Sequence, residues 1–277
     1  MSNTSASGIS ENFRSMGEWI DWLQSNPWSI QPDYISANVQ EVARCGFIDP
    51  LFGYVSPSQI DTSSDNYREG IVAHNLNSRL RAVCLQLSEE LLRSGPGLRV
   101  YASEWVSPFA EIVRKFVDYH GSEYLPTPSE QAAYPHIRHE DVTALSWENE
   151  SFDAYITNEV LEHVHNIEGA LSEAYRILKP RGIFFGTFPM AYASESTVHK
   201  AKMVNGELVH LMEPEYHGNP IDPSGGSLVF GIPGWDIIPQ ARACGFKDPH
   251  IRFLSSRRYG IYGAEIAGVL LFVARKL

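Results

Sequence analysis

VYASEWVSPFAEIVRKFVDYHGSEYLP, residues 100–126, decides the fold. Leu98 to Ala102 is a short, largely apolar run that predicts a strand. Pro108 to Phe116 carries apolar residues at helical spacing, and a proline suits the first turn of a helix. Asp118 to Ser122 predicts a second short strand. Strand, turn, helix and strand in that order are the unit of a parallel sheet with helices on its faces. The first turn, Ala102-Ser103-Glu104-Trp105-Val106-Ser107-Pro108, holds no glycine. Loops that cradle phosphates are Gly-rich, so any ligand site here is either lost or built differently.

Working outward, the alternation continues. Ile137 anchors a third predicted strand that ends near Asp141. Phe152 to Thr157 is a fourth, and Val160 and Ile167 to Leu178 read as helical. Lys179-Pro180-Arg181-Gly182 predicts a stop before a fifth strand, Ile183 to Phe188. Residues 190–232, rich in Gly, Pro, Tyr and His, break the rhythm as a lid insertion would. A helix over Gly234 to Cys244 and two strands, near His250 to Leu254 and Glu265 to Ala274, close the chain. Upstream, residues 1–10 read as disordered. Phe13, Met16, Ile20 and Leu23 recur at helical spacing beside Trp19 and Trp22, until Asn26-Pro27. Residues 28–70 read as irregular, and Leu76 to Leu92 as a helix stopped by Gly95-Pro96-Gly97. The fold class expected is α/β: a doubly wound, seven-stranded, mainly parallel sheet. Residues 1–93 would be an N-terminal cap with lead-in helices, and 94–277 the α/β domain with its lid at 190–232.

Composition narrows the function. The formal net charge is -11, which opposes attraction to nucleic acid. The longest apolar run, Ile266 to Ala274, falls well short of the roughly 18 residues of a membrane span, and the polar start does not read as a secretory signal. The three cysteines, Cys45, Cys84 and Cys244, form no CxxC pair, so no disulfide framework or structural zinc site is expected. The reading is a cytoplasmic protein whose partner is a small molecule, with no nucleic acid and no membrane; its oligomeric state stays open. No compact spacing such as HExxH is present, so no metal is expected.

Ligands of open parallel sheets sit beyond the carboxyl ends of the strands, at the topological switch point. Glu104, Glu123 and Asp141 fall at three successive predicted strand ends. Each alone reads as a solvated loop acid; three in register point to a cofactor. Asn158 follows the fourth strand and suits a substrate or cofactor contact. His163 suits a general base, although packing beneath the site explains it as simply. Tyr216 and His217 lie in the insertion, where they fit acid–base chemistry and a structural turn at Gly218 equally. His199 and His210 are weaker candidates. Trp19, Trp22 and Trp28 suit either a cap over a cation or packing, and Arg79 and Arg81 either a carboxylate contact or a solvated helix face.

The stretches His139-Glu140-Asp141-Val142-Thr143-Ala144-Leu145-Ser146-Trp147, Ser151 to Ile156, Glu159-Val160-Leu161-Glu162-His163-Val164 and Arg176-Ile177-Leu178-Lys179-Pro180-Arg181-Gly182-Ile183 carry a resemblance. Together they are similar to the class I S-adenosylmethionine-dependent methyltransferases. Glu104-Trp105-Val106-Ser107-Pro108, Gly121 to Leu125 and Glu213 to Pro220 resemble a smaller branch with Glu and a Thr/Ser-Pro step in the first turn. S-adenosylmethionine has no phosphates, so a turn without glycine is compatible with it. The resemblance implies Glu104 at the ammonium, and Ser103, Trp105 and backbone N–H groups at the methionine carboxylate. It places Glu123 at the ribose, Asp141 at the adenine amino group and Val142 at the ring edge, with Tyr124 also among the cofactor-binding residues and Asn158 and Glu159 facing the sulfonium. The function expected is methyl transfer to a small molecule, by analogy in natural-product biosynthesis. Two alternatives stand beside it. One is a cyclase similar to azetidine-2-carboxylate synthases, which would release methylthioadenosine. The other is a noncatalytic module on the same fold.

Overall fold

The computed structural model describes residues 8–277. Residues 1–7, most of the segment that reads as disordered, lie outside the described residues. The chain divides into two compact units: one runs to Pro96 and takes in Ile251–Leu271, and the other comprises Gly97–His250 and Phe272–Leu277.

The first unit opens with a strand, β1 (Ile9–Phe13), where disorder and then a helix were expected. Its backbone pairs antiparallel with a late strand, Ile9 opposite Ser255 and Phe13 opposite Ile251. Helix α1 (Met16–Ser25) follows, its first turn closed by Ser15 accepting from the Glu18 N–H at 3.2 Å. The expected apolar stripe of α1 is displaced: Trp19 is buried and Ile20 is exposed. Trp19 stacks on Trp22 at 5.6 Å, and both rings meet Phe253. Residues 28–70 are not irregular. They hold α2 (Pro32–Cys45), a hairpin of β2 (Phe47–Asp49) and β3 (Gly53–Val55), and a short α3 (Tyr67–Gly70). Ile35, Val39 and Val42 recur at helical spacing and bury α2. In α4 (Ser78–Ser94), Asn77 caps the Leu80 N–H at 2.8 Å and Gly95 closes the end. Arg81 is not on a solvated face. It is fully buried and donates to the carbonyls of Leu76, Tyr259 and Gly260; burial pulls its pKa down to about 10. Arg79 reaches the Glu69 carboxylate at 2.8 Å.

The second unit carries the parallel core. Its elements are β4 (Arg99–Ala102), α5 (Pro108–Val113), β5 (Asp118–Gly121), α6 (Pro128–Ala133), β6 (Phe152–Asn158), α7 (Ile167–Ile177) and β7 (Leu178–Thr187). Strand β4 pairs in parallel with β5 on one side and β6 on the other, and β6 pairs in parallel with β7. Apart from Asp153 and Asn158, β6 is buried, as a strand covered on both faces must be. Gly186 is required in β7, because a Cβ there would lie 1.8 Å from the Thr157 carbonyl. Strand β7 also runs through Lys179–Gly182, which the sequence predicts as a stop. Arg181 takes a φ of 68° there, and the pairing shifts register between Phe152 and Ala154.

The insertion is a set of short antiparallel ladders rather than an irregular loop. β8 (Val198–His199) pairs with β13 (Gly231–Ile232), β9 (Ala201–Val204) with β10 (Glu207–His210), and β11 (Tyr216–His217) with β12 (Ser227–Leu228). The hairpin of β11 and β12 needs glycine at 226, not 218. Gly226 has a φ of 68°, and a Cβ there would sit 2.5 Å from the His217 carbonyl. Helix α8 (Ile237–Ala243), β14 (Lys247–Ser255) and β15 (Val269–Arg275) end the chain.

The main sheet has seven strands in the order β1-β14-β15-β7-β6-β4-β5, with β15 antiparallel to β7. The expected count holds, but the membership differs. The predicted strand at Ile137 to Asp141 is reduced to a single bridge between Glu123 and His139, and β1 supplies the seventh strand. The local reason is that Asp141 folds back onto Thr143 and Glu140 is clasped by Arg138 and Ser146, which ends any extended run. Among the described residues no helix is long and apolar enough to cross a membrane.

Candidate functional site

From β4 the chain passes to β5 on one side, then crosses to β6 on the other. The carboxyl ends of β4 and β6 are therefore the switch point. Glu104 follows β4 and Asn158 ends β6, and the two meet: the Asn158 amide donates to Glu104 Oε1. The other carboxylate oxygen accepts from the Ser107 hydroxyl, which also caps α5 by accepting from the Ala110 N–H at 3.0 Å. Asn158 Oδ1 is buried and makes no hydrogen bond among the described residues. A buried amide oxygen left bare costs about 1–3 kcal/mol. An acceptor without a donor, beside a carboxylate, is a feature a cationic ligand would satisfy.

Glu123 lies at the end of β5. Its Oε1 accepts from the N–H groups of Trp105 and Val106 at 2.7 and 3.0 Å. The first turn thus binds a carboxylate, as its form suggests, but the one it binds is the chain's own. Ser103 is engaged too, sharing a hydrogen bond of 2.6 Å with the Tyr155 hydroxyl. Trp105 is held from outside by Arg114, which stacks on its ring and donates to its carbonyl at 2.8 Å. Gly121 packs directly beneath: a Cβ there would lie 2.5 Å from the Glu104 carbonyl. Asp141 Oδ1 accepts from the Thr143 N–H and hydroxyl at 2.8 and 2.7 Å. Val142 is half-buried beside it, and Tyr124 is exposed with its ring 5.8 Å from that of His139. Glu159 has a φ of 54°, a left-handed conformation uncommon outside glycine and enriched where structure serves a site.

Burial raises the pKa of Glu123 above its usual 4.5, against the two N–H bonds that lower it. The folded chain therefore holds this proton more tightly than the unfolded chain. The stabilisation is full below pH 4.5 and is lost as the pH rises through the raised value. Glu123→Gln should flatten this slope. Melting temperatures of wild type and Glu123→Gln, compared from pH 4.5 to 7, should show the wild type losing more stability as the pH rises. Parallel curves would show that the carboxyl proton is not held.

The remaining candidates form a second group. His163 sits on a short 3-10 turn, Leu161–His163, just beyond β6. His217 is brought to it by the β11–β12 hairpin, so the rings cross at 5.2 Å. Between them lies Glu162, fully buried, with neither carboxylate oxygen hydrogen-bonded among the described residues. The Glu162 carboxylate, then that of Glu215, raises the pKa of His217 to about 9. Tyr216, adjacent in β11, is exposed. His199 and His210 are exposed on β8 and β10. The sequence reading passed over Glu162 as the hub and Glu215 as a partner. Their signal was Glu162-His163 adjacency and Glu215-x-His217, pairs too short to recognise without the hairpin that joins them.

Residues 81–186 match the family model described as a methyltransferase domain. No curated protein sequence matches the chain. The solved structures that match include the 1,6-didemethyltoxoflavin-N1-methyltransferase of Burkholderia thailandensis, with 1,6-didemethyltoxoflavin and S-adenosylhomocysteine bound. It is 16% identical over 67% of this chain and 74% of that one, with a TM-score of 0.38. A second is an S-adenosylmethionine-dependent methyltransferase of Mesorhizobium loti, 15% identical over 69% and 97%, TM-score 0.44. A third comes from Thermotoga maritima, 17% identical over 72% and 87%, TM-score 0.41.

Proposed function

We propose that the chain, whose residues 81–186 match a methyltransferase-domain model, binds S-adenosylmethionine at the β4–β6 switch point and methylates a small molecule. The observation that carries this reading is the pair Glu104 and Asn158, with Asn158 Oδ1 buried and without a donor. The residues present fit the cofactor. Glu104 and Asn158 Oδ1 accept from its ammonium. Glu123 Oε2, which makes no hydrogen bond to the described residues, accepts from the ribose hydroxyls, and Asp141 from the adenine amino group. Bound there, S-adenosylmethionine supplies an electrophilic methyl group on a sulfonium. The chain's own work is to hold donor and acceptor in line, the step that contributes most in a displacement on carbon. A net charge of -11 favours small, neutral or cationic acceptors over polyanions. A role in natural-product biosynthesis remains the working context.

The test is to incubate the purified chain with S-adenosylmethionine alone and identify the products by mass spectrometry. The expected result is bound, intact cofactor, with S-adenosylhomocysteine formed only after an acceptor is added. Methylthioadenosine with a ring-closed amino acid would replace methyl transfer by cyclisation, in which the amine displaces the sulfur from its own γ-carbon. Absence of binding to any adenosyl compound would leave a noncatalytic module.

A further inference from the structure

Glu162, His163 and His217 converge with their coordinating atoms toward one another. Glu162 Oε1 lies 3.6 Å from His163 Nε2 and 3.6 Å from His217 Nδ1, and the three ligand atoms lie within 4.8 Å of one another. These separations exceed a normal hydrogen bond, which ends near 3.2 Å. They are close to the roughly 3.4 Å between two donors that share one tetrahedral ion at about 2.1 Å.

The tautomers are set from outside. His163 Nδ1 meets the Leu228 carbonyl at 2.9 Å. A carbonyl only accepts, so Nδ1 carries the hydrogen and Nε2 turns a lone pair toward Glu162. His217 Nε2 meets Glu215 Oε1 at 3.0 Å, and Glu215 is also paired with Lys200. That nitrogen donates to a carboxylate, and Nδ1 faces Glu162, where a bound metal would take the place of the ring proton. An outer nitrogen donating to a carbonyl or carboxylate is how proteins orient metal-binding histidines. The backbone fixes the arrangement: the Phe230 N–H donates to the Glu162 carbonyl at 2.8 Å, and Val229 to Glu215 at 2.8 Å. At the centre, Glu162 is fully buried and neither oxygen makes a hydrogen bond among the described residues; its ion-pair partners are the two imidazoles themselves. Buried carboxylates are paired or bind metal.

We propose that Glu162, His163 and His217 form a site for a divalent transition-metal ion of the zinc class. Two imidazoles and one carboxylate suit Zn²⁺, Co²⁺ or Fe²⁺ better than the all-oxygen preference of Mg²⁺ and Ca²⁺. Three protein ligands leave a position open, the mark of catalytic rather than structural zinc. Glu162 follows Asn158 by four positions, so their Cα atoms are at most roughly 14 Å apart. On the methyl-transfer reading, the open position takes an oxygen of the acceptor. This displaces the sequence expectation of no metal, which rested on the lack of HExxH; here the third ligand arrives through a hairpin.

The test uses the untagged full chain, stripped with a chelator and titrated by calorimetry with Zn²⁺ alone. Co²⁺, followed by its d–d absorption, is titrated in parallel. The expected result is one equivalent bound, with Co²⁺ giving a low-coordinate spectrum and Mg²⁺ binding at least 100-fold more weakly. His217→Ala and Glu162→Gln should lose stoichiometric binding. Glu215→Ala changes a partly exposed residue that touches no metal, and should weaken Zn²⁺ about 10–100-fold with an unchanged far-ultraviolet spectrum. It keeps the inference testable if Glu162→Gln does not fold. Zn²⁺ affinity indifferent to all three changes, equal affinity for Mg²⁺, or no binding by the folded wild type would overturn it. No methyl donor is present, so failure here leaves the methyl-transfer reading intact, and failure of that reading leaves the metal titration intact.

Discussion

Glu104→Gln is expected to raise the dissociation constant for S-adenosylmethionine about 100- to 1,000-fold while the chain stays folded. Glu104 is half-buried, with its two oxygens held by the Asn158 amide and the Ser107 hydroxyl. Glutamine keeps the volume and one acceptor. The Ser107 hydroxyl can rotate to accept from the new amide, so the cap on α5 survives. The charge does not survive. Removing one partner of a desolvated charge pair costs about 2–5 kcal/mol, and the expected factor lies within that range. Calorimetry with S-adenosylmethionine and with S-adenosylhomocysteine locates the effect. The second ligand has the ammonium but no sulfonium. Equal losses place Glu104 at the ammonium; a loss confined to S-adenosylmethionine places it at the sulfonium. Unchanged affinity for both would remove Glu104 from the site.

Glu104 also shows what was legible. Its place after the first strand, the Ser107-Pro108 start of α5 and the buried run of β6 follow from residue type and spacing, and they position the switch point. What a residue's partner would be did not follow. The acids at 104, 123 and 141 read alike in the sequence, yet they differ in the fold. Glu104 binds side chains, Glu123 binds the turn's N–H groups, and Asp141 binds its own next turn. Strand membership failed for the same reason. Ile137 to Asp141 looks extended, but the side chains of Glu140 and Asp141 take hydrogen bonds that curl the backbone, whereas β1 becomes a strand only through its partner β14. Helix α2 was missed: Ile35, Val39 and Val42 recur at helical spacing, but the aromatic and turn residues around them obscured that stripe. The cluster at Glu162 was not legible, because it depends on a hairpin closed at Gly226 and on a backbone carbonyl at Leu228.

Asn158→Ala should lower kcat about 100- to 1,000-fold and raise the cofactor dissociation constant only about tenfold. The asymmetry follows from what the side chain holds. In the proposed site it would offer the cofactor one uncharged acceptor, Oδ1, and one neutral hydrogen bond is worth about 0.5–1.5 kcal/mol. Toward the reaction it does more. Its amide fixes Glu104, and its position at the end of β6, before the left-handed Glu159, sets the path of the chain where donor and acceptor must line up. Preorganised dipoles of this kind are worth about 10²–10³ in kcat, and small misplacements of reacting groups carry similar losses. Single-turnover rates with saturating S-adenosylmethionine, set beside calorimetric affinities, separate the two effects. Equal losses in both would make Asn158 a binding residue alone, and an unchanged rate would move the reacting centre away from the end of β6.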